Sequence, residues 1–91
     1  MIINYPELAV KELIDEVLIE YAGQNPGTCQ CERCKNDIMA LALNSLPAKY
    51  VVSDFGQVYT KAIYDQVGGK AQVIAALTSA IQRVQQYPSH Y

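Results

Sequence analysis

The stretch CQCERCKNDIMALALN, residues 29–44, joins three closely spaced cysteines to the start of an apolar helix. Residues 38–43 include no polar side chain, and a helix that is apolar nearly all round is buried on several sides. In a chain of 91 residues, we expect part of that burial to be against a partner subunit. Chains of this size often gain stability from a metal, a disulfide or a second subunit.

The flanking sequence predicts one all-α domain over residues 1–91, with four helices and one extended connector. Apolar residues at spacings of three and four predict the first helix, and Gly23 is expected to cap it. The last helix has the clearest apolar stripe, at Val73, Leu77, Ala80, Ile81 and Val84. The first predicted helix covers residues 6–22, and the second runs from about residue 32 or 34 to residue 44. Residues 47–53 form the extended connector. The third helix begins at a cap at Asp54 and ends at Gly68-Gly69, and the fourth covers residues 70–86.

The composition argues against several functional classes. The chain is 51% hydrophobic and 18% charged, which is too apolar for a disordered chain. No apolar run approaches the roughly 20 residues that cross a bilayer, and the acidic first twenty residues do not fit a signal peptide. We therefore expect a cytoplasmic protein that makes no membrane contact. A net charge of −2 with seven Lys and Arg argues against duplex DNA as a partner.

The cysteines Cys29, Cys31 and Cys34 are the strongest chemical signal. A turn can bring three sulfurs to one point, and a helix N-terminus favours the thiolate form that a metal requires. Zinc takes four ligands in a tetrahedron, so the fourth would be His90, Asp37, water or a group from a second chain. We favour structural zinc over two alternatives, a redox dithiol at Cys31 and Cys34 and three reduced thiols. No nucleophile–base pair, phosphate-binding glycine loop or HExxH motif can be assembled, so we expect no enzymatic activity.

The cysteine pattern continues as Cys-x-Cys-x-x-Cys-x-x-Asp, followed by ALALN at residues 40–44 and LPxxYV at residues 46–51. In these motifs, and over essentially its whole length, the chain resembles the late competence development protein family, ComFB. The resemblance implies a small helical homodimer of bacterial origin, with zinc held by the cysteines and a regulatory role. Members of that family have been described as receptors for the second messenger cyclic di-GMP, so the resemblance also implies this ligand and a downstream protein partner.

A cyclic dinucleotide of guanine needs aromatic surfaces for its bases, acceptors for guanine N1–H and N2–H, and cations for its phosphates. Arg33, Asp37 and Asn44 lie close to one face of the second predicted helix. Arg33 could stack on a base, and Asp37 could accept from guanine. The other candidate ligand-binding residues are Lys35, Asn36, Tyr50, Tyr59 and Lys61.

Each of these residues also has a purely structural interpretation. Arg33 and Asp37 could form a simple surface ion pair. Asn44 could cap the helix, and the tyrosines could pack in the core or at a dimer interface. Three hypotheses follow: a zinc-stabilised receptor for cyclic di-GMP, a zinc-stabilised protein-interaction module that binds no small molecule, or a thiol redox sensor that uses Cys31 and Cys34.

Overall fold

A computed structural model describes residues 2–52 and 69–87. The described residues form three helices and a two-stranded antiparallel sheet. The predicted helix that begins after Asp54 lies outside the described residues. The elements, in chain order, are β1 (Ile2–Asn4), α1 (Tyr5–Gln24), α2 (Glu32–Ser45), β2 (Tyr50–Val52) and α3 (Gly69–Gln86).

The three described helices lie close to where the periodicity predicts them, but the end of α1 differs. Gly23 does not cap α1, which continues through Gln24. The capping residue is Asn25, whose backbone N–H and side-chain Nδ2 donate to the Tyr21 carbonyl at 2.9 and 3.0 Å. Among the described residues, the glycine with positive φ is Gly27, at φ 90°. Helix α1 therefore ends two residues later than predicted, whereas the turn lies at Pro26-Gly27, where the sequence predicts one.

The domain is mostly helical as predicted, and in addition the two ends of the first half of the chain form a short β-ribbon. The predicted extended connector supplies β2, and β1 pairs with it in the register Ile2↔Val52, Ile3↔Val51 and Asn4↔Tyr50. Asn4 Oδ1 also accepts from the Lys49 N–H at 2.9 Å. The ribbon thus ties the start of α1 to the segment that follows α2.

The hydrophobic core lies between the three described helices. The predicted stripe of α3 is confirmed, since all five of its residues are buried. From α2 the core receives Cys34, Ile38 and Ala42, whereas Ala40 and Leu41 are exposed. Within one chain, α2 therefore buries one face and leaves apolar side chains on another. No helix in the described ranges is both long and apolar enough to span a bilayer.

Candidate metal centre and ligand cleft

The turn between α1 and α2 is built to reverse the chain just before the cysteines. Gly27 adopts φ 90°, a conformation that glycine reaches without the steric penalty of a side chain. The Thr28 backbone N–H and hydroxyl both donate to the Asn25 carbonyl, at 3.3 and 2.6 Å. These contacts bring Cys29 back over the end of the helical bundle.

The three sulfurs converge as the sequence predicts. The Sγ atoms of Cys29, Cys31 and Cys34 all lie within 4.8 Å of one another. A tetrahedral zinc ion with bonds of about 2.3 Å would place its sulfur ligands about 3.8 Å apart, so small side-chain rotations would suffice. All three are free thiols. Spacing and ligand type therefore fit a zinc ion.

The environments of the three thiols differ. The backbone N–H of Cys34 donates to Cys31 Sγ at 3.4 Å, so Cys31 is the N-cap of α2. This bond, followed by one from the Cys29 side chain, lowers the pKa of Cys31. Burial, followed by hydrogen bonds with the other two thiols, raises the pKa of Cys34 to about 12. An incoming cation must therefore displace a tightly held proton from Cys34, and its charge favours that loss.

The structure bears on the redox alternative for this cluster and on the candidates for the fourth zinc ligand. Cys31 and Cys34 follow a helix and a turn rather than a strand, which is not the setting of a thioredoxin-like dithiol. Asp37 lies one turn beyond Cys34 in α2 and forms an ion pair with Arg33, with Arg33 Nε and Asp37 Oδ2 3.4 Å apart. His90, the other proposed fourth ligand, lies outside the described residues.

Gln85 is a residue of the site that the sequence analysis did not identify. Its Oε1 accepts from the Cys29 N–H at 2.9 Å, and its Nε2 donates to the Cys29 carbonyl at 3.2 Å. The side chain thus holds the cysteine loop against α3. In the sequence, Gln85 is one of several glutamines on the polar face of this helix. It is separated from Cys29 by 56 positions, and no local signal distinguishes it.

A cleft of about 500 Å³ opens between α2 and the end of α3. The volume is in the range of small-molecule sites. It brings together two predicted ligand-binding residues, Asp37 and Asn44, and adds two that the sequence analysis did not select, Arg83 and Tyr87. The Tyr87 side chain is 79% exposed, so its ring is available for stacking. The described residues that line the cleft are Asp37, Ala40, Leu41, Asn44, Arg83, Val84 and Tyr87.

The cleft is not lined by four other predicted ligand-binding residues that the structure describes, namely Arg33, Lys35, Asn36 and Tyr50. Lys35 Nζ lies 2.6 Å from Asp15 Oδ1, and this hydrogen bond raises the pKa of Lys35. Asn36 is exposed on α2, and Tyr50 is exposed on β2 opposite Asn4. Tyr59 and Lys61 lie outside the described residues. A role in ligand binding stays a prediction for these five residues and for Arg33, which pairs with Asp37.

Fold and site together define a small, mostly helical domain whose three thiols could hold one metal ion at the start of a helix. The family model for the late competence development protein ComFB matches residues 3–88, and the chain belongs to this family. This confirms the resemblance seen in the cysteine pattern and the motifs that follow it. The family is not a known enzyme family.

The comparisons with individual proteins agree. The chain is 37% identical over 82 residues to the Competence protein ComFB of Bacillus subtilis (strain 168), which covers 88% of this chain and 79% of that protein. A solved structure described as "Structural characterization of the late competence protein ComFB from Bacillus subtilis" matches with a TM-score of 0.76 and 31% sequence identity. That match covers 98% of this chain and 93% of the other.

Proposed function

We propose that the protein is a cytoplasmic bacterial regulator, a zinc-stabilised homodimer that binds cyclic di-GMP and transmits the signal to a protein partner. The observation that carries this proposal is the cleft between α2 and α3, where an acidic, a cationic, an amide and an aromatic side chain converge. They include the acceptor, the cation and the aromatic surface that a guanine dinucleotide requires.

Three of these groups have distinct roles in this proposal. The Asp37 carboxylate accepts from guanine N1–H and N2–H. The Arg83 guanidinium pairs with a phosphate, for which its planar fork of donors is suited. The exposed Tyr87 ring stacks on a base. A two-fold dimer would present two copies of this cleft, matching the two-fold symmetry of the ligand.

Zinc has a structural role in the proposal. Cys29, Cys31 and Cys34 supply three ligands, and a water, His90 or a group from a second chain completes the tetrahedron. The metal would join the turn after α1 to the first turn of α2. This adds stability to a chain whose core is small.

Calorimetric titration of cyclic di-GMP into zinc-loaded protein tests the receptor function. We expect Asp37→Asn to weaken binding about tenfold to a hundredfold, because hydrogen bonds to a charged group contribute about 1.5–3 kcal/mol. Glu7→Gln is a matched control, since Glu7 also forms a surface ion pair within one helix, with Lys11, but does not line the cleft. The receptor proposal is rejected if fully zinc-loaded wild-type protein shows no binding at micromolar ligand.

The second candidate function is a zinc-stabilised interaction module with no small ligand. One face of the β-ribbon favours it, because Ile2, Tyr50 and Val52 are 72%, 67% and 71% exposed. The register places Ile2 directly opposite Val52, and adjacent exposed apolar side chains are typical of protein contact sites. This function predicts a protein partner whose capture by the immobilised protein does not change when cyclic di-GMP is added.

A further inference from the structure

The three cysteines are held in place by different means. Cys34 belongs to the first turn of α2, and Cys31 is the cap of the same helix. Helical geometry and the bond from the Cys34 N–H to Cys31 Sγ therefore fix these two thiols relative to each other. Cys29 precedes the helix, in a segment with no regular secondary structure. Its position must be set by other contacts.

The Gln85 carboxamide makes those contacts. It bonds both the N–H and the carbonyl of Cys29, at 2.9 and 3.2 Å, in the way that a neighbouring strand would. Two bonds to one residue restrict the rotation of its main chain as well as its position. The contacts are partly buried, so water competes for them less than it would at an open surface.

We propose that Gln85 is a positioning residue for the metal site. By fixing the main chain of Cys29, it directs the Cys29 sulfur towards those of Cys31 and Cys34. The metal then binds a nearly preformed set of three thiols, whereas without Gln85 it must first order the loop. The inference rests on the proposed zinc site, and it assigns to α3 a part in metal binding although none of the three cysteines belongs to that helix.

The matched variants are Gln85→Ala and Gln86→Ala. Both remove a glutamine from the last turn of α3, but Gln86 is exposed. Competition with a chromophoric chelator measures zinc affinity. We expect Gln85→Ala to bind zinc about tenfold more weakly, at the low end of the effect of residues that orient metal ligands, and Gln86→Ala to match the wild type.

Cobalt substitution separates positioning from a general loss of stability. Tetrahedral Co²⁺ bound to thiolates absorbs in bands whose energy and intensity report the number and geometry of the sulfurs. We expect Gln85→Ala to shift or weaken these bands while its far-UV circular dichroism stays that of the wild type. Gln85→Glu keeps the acceptor for the Cys29 N–H and should restore part of the spectrum.

The outcomes are distinct. Wild-type zinc affinity together with an unchanged cobalt spectrum in Gln85→Ala would overturn the positioning role and leave the zinc site intact. A wild-type protein that binds no zinc would remove both the site and the role. If Gln85→Ala does not fold, the same two measurements on Gln85→Glu decide, because this variant retains one of the two hydrogen bonds.

Discussion

Cys31→Ser is the most direct test of whether a metal holds this domain together. Cys31 is exposed, so replacing its sulfur removes almost no apolar burial. Serine is itself a favourable N-cap and can accept the N–H bond that Cys34 now gives to sulfur. In the metal-free protein, we therefore expect the substitution to change the free energy of unfolding by less than about 0.5 kcal/mol.

With metal, the expected effect is much larger. A ligand that binds the folded state much more tightly than the unfolded chain, at a free concentration about a hundredfold above its Kd, stabilises the fold by up to about 2.7 kcal/mol. For domains of about 60–100 residues, each kcal/mol raises Tm by about 4–8 °C, so zinc should add about 10–20 °C. Cys31→Ser should lose this increment and melt near the temperature of the wild type in chelator.

The assay is thermal unfolding by circular dichroism, with zinc and with chelator, together with metal content by atomic emission. Gln30→Ser is the matched control, since Gln30 is an exposed neighbour outside the thiol cluster. It should keep both the metal and the zinc-dependent increase in Tm. If Cys31→Ser also keeps its zinc and its melting temperature, the structural-zinc reasoning is refuted.

Three further predictions concern pH, the core and the turn. Since the fold raises the pKa of Cys34 from 9.0 to about 12, it favours the protonated thiol, so the metal-free protein should lose stability in urea as pH rises through this window. Zinc-loaded protein should instead release metal to a chelating dye on acidification, because protons compete for the thiolates; constant metal content would contradict this. Ile38→Ala should lower the free energy of unfolding in urea by about 2–5 kcal/mol. Leu41→Ala should lower it by clearly less, because the Leu41 side chain is 38% exposed. Equal losses in the two variants would contradict the described core. Gly23→Ala should stabilise the protein by about 0.5–1 kcal/mol, because Gly23 lies within α1 and an added Cβ meets nothing within 4 Å. Gly27→Ala should destabilise it by about 1–2 kcal/mol, because Gly27 has φ 90°. Effects of the same sign in the two variants would refute the turn assignment.

Local sequence signals predicted those parts of the fold whose contacts are local or periodic. The α3 stripe is confirmed because burial on one side of a helix repeats every three to four residues. The thiol cluster is confirmed because its members lie within six residues of one another. The strand β1 was missed because it has only three residues, which is too short for alternation to show.

Contacts between distant residues could not be predicted in this way. Asp37 and Asn44 were selected because they share a face of one helix, and both line the cleft. Arg83 and Tyr87 complete that cleft from α3, and only the packing of two helices brings them there. Gln85 could not be identified for the same reason, because its partner Cys29 is 56 residues away. The local sequence around residues that pack together across the bundle does not indicate that they are in contact.

The closeness of the three thiols along the chain has a consequence for how the protein is made. Ordering a short loop carries a small entropic cost, so the cysteine turn can bind metal before the bundle exists. During synthesis at about 5–20 residues per second, the thiols are complete roughly 3–10 s before Gln85 is added. Metal binding can then stabilise the cysteine turn while the chain is still incomplete. We expect folding to begin at a metal-ordered turn, onto which α3 docks last.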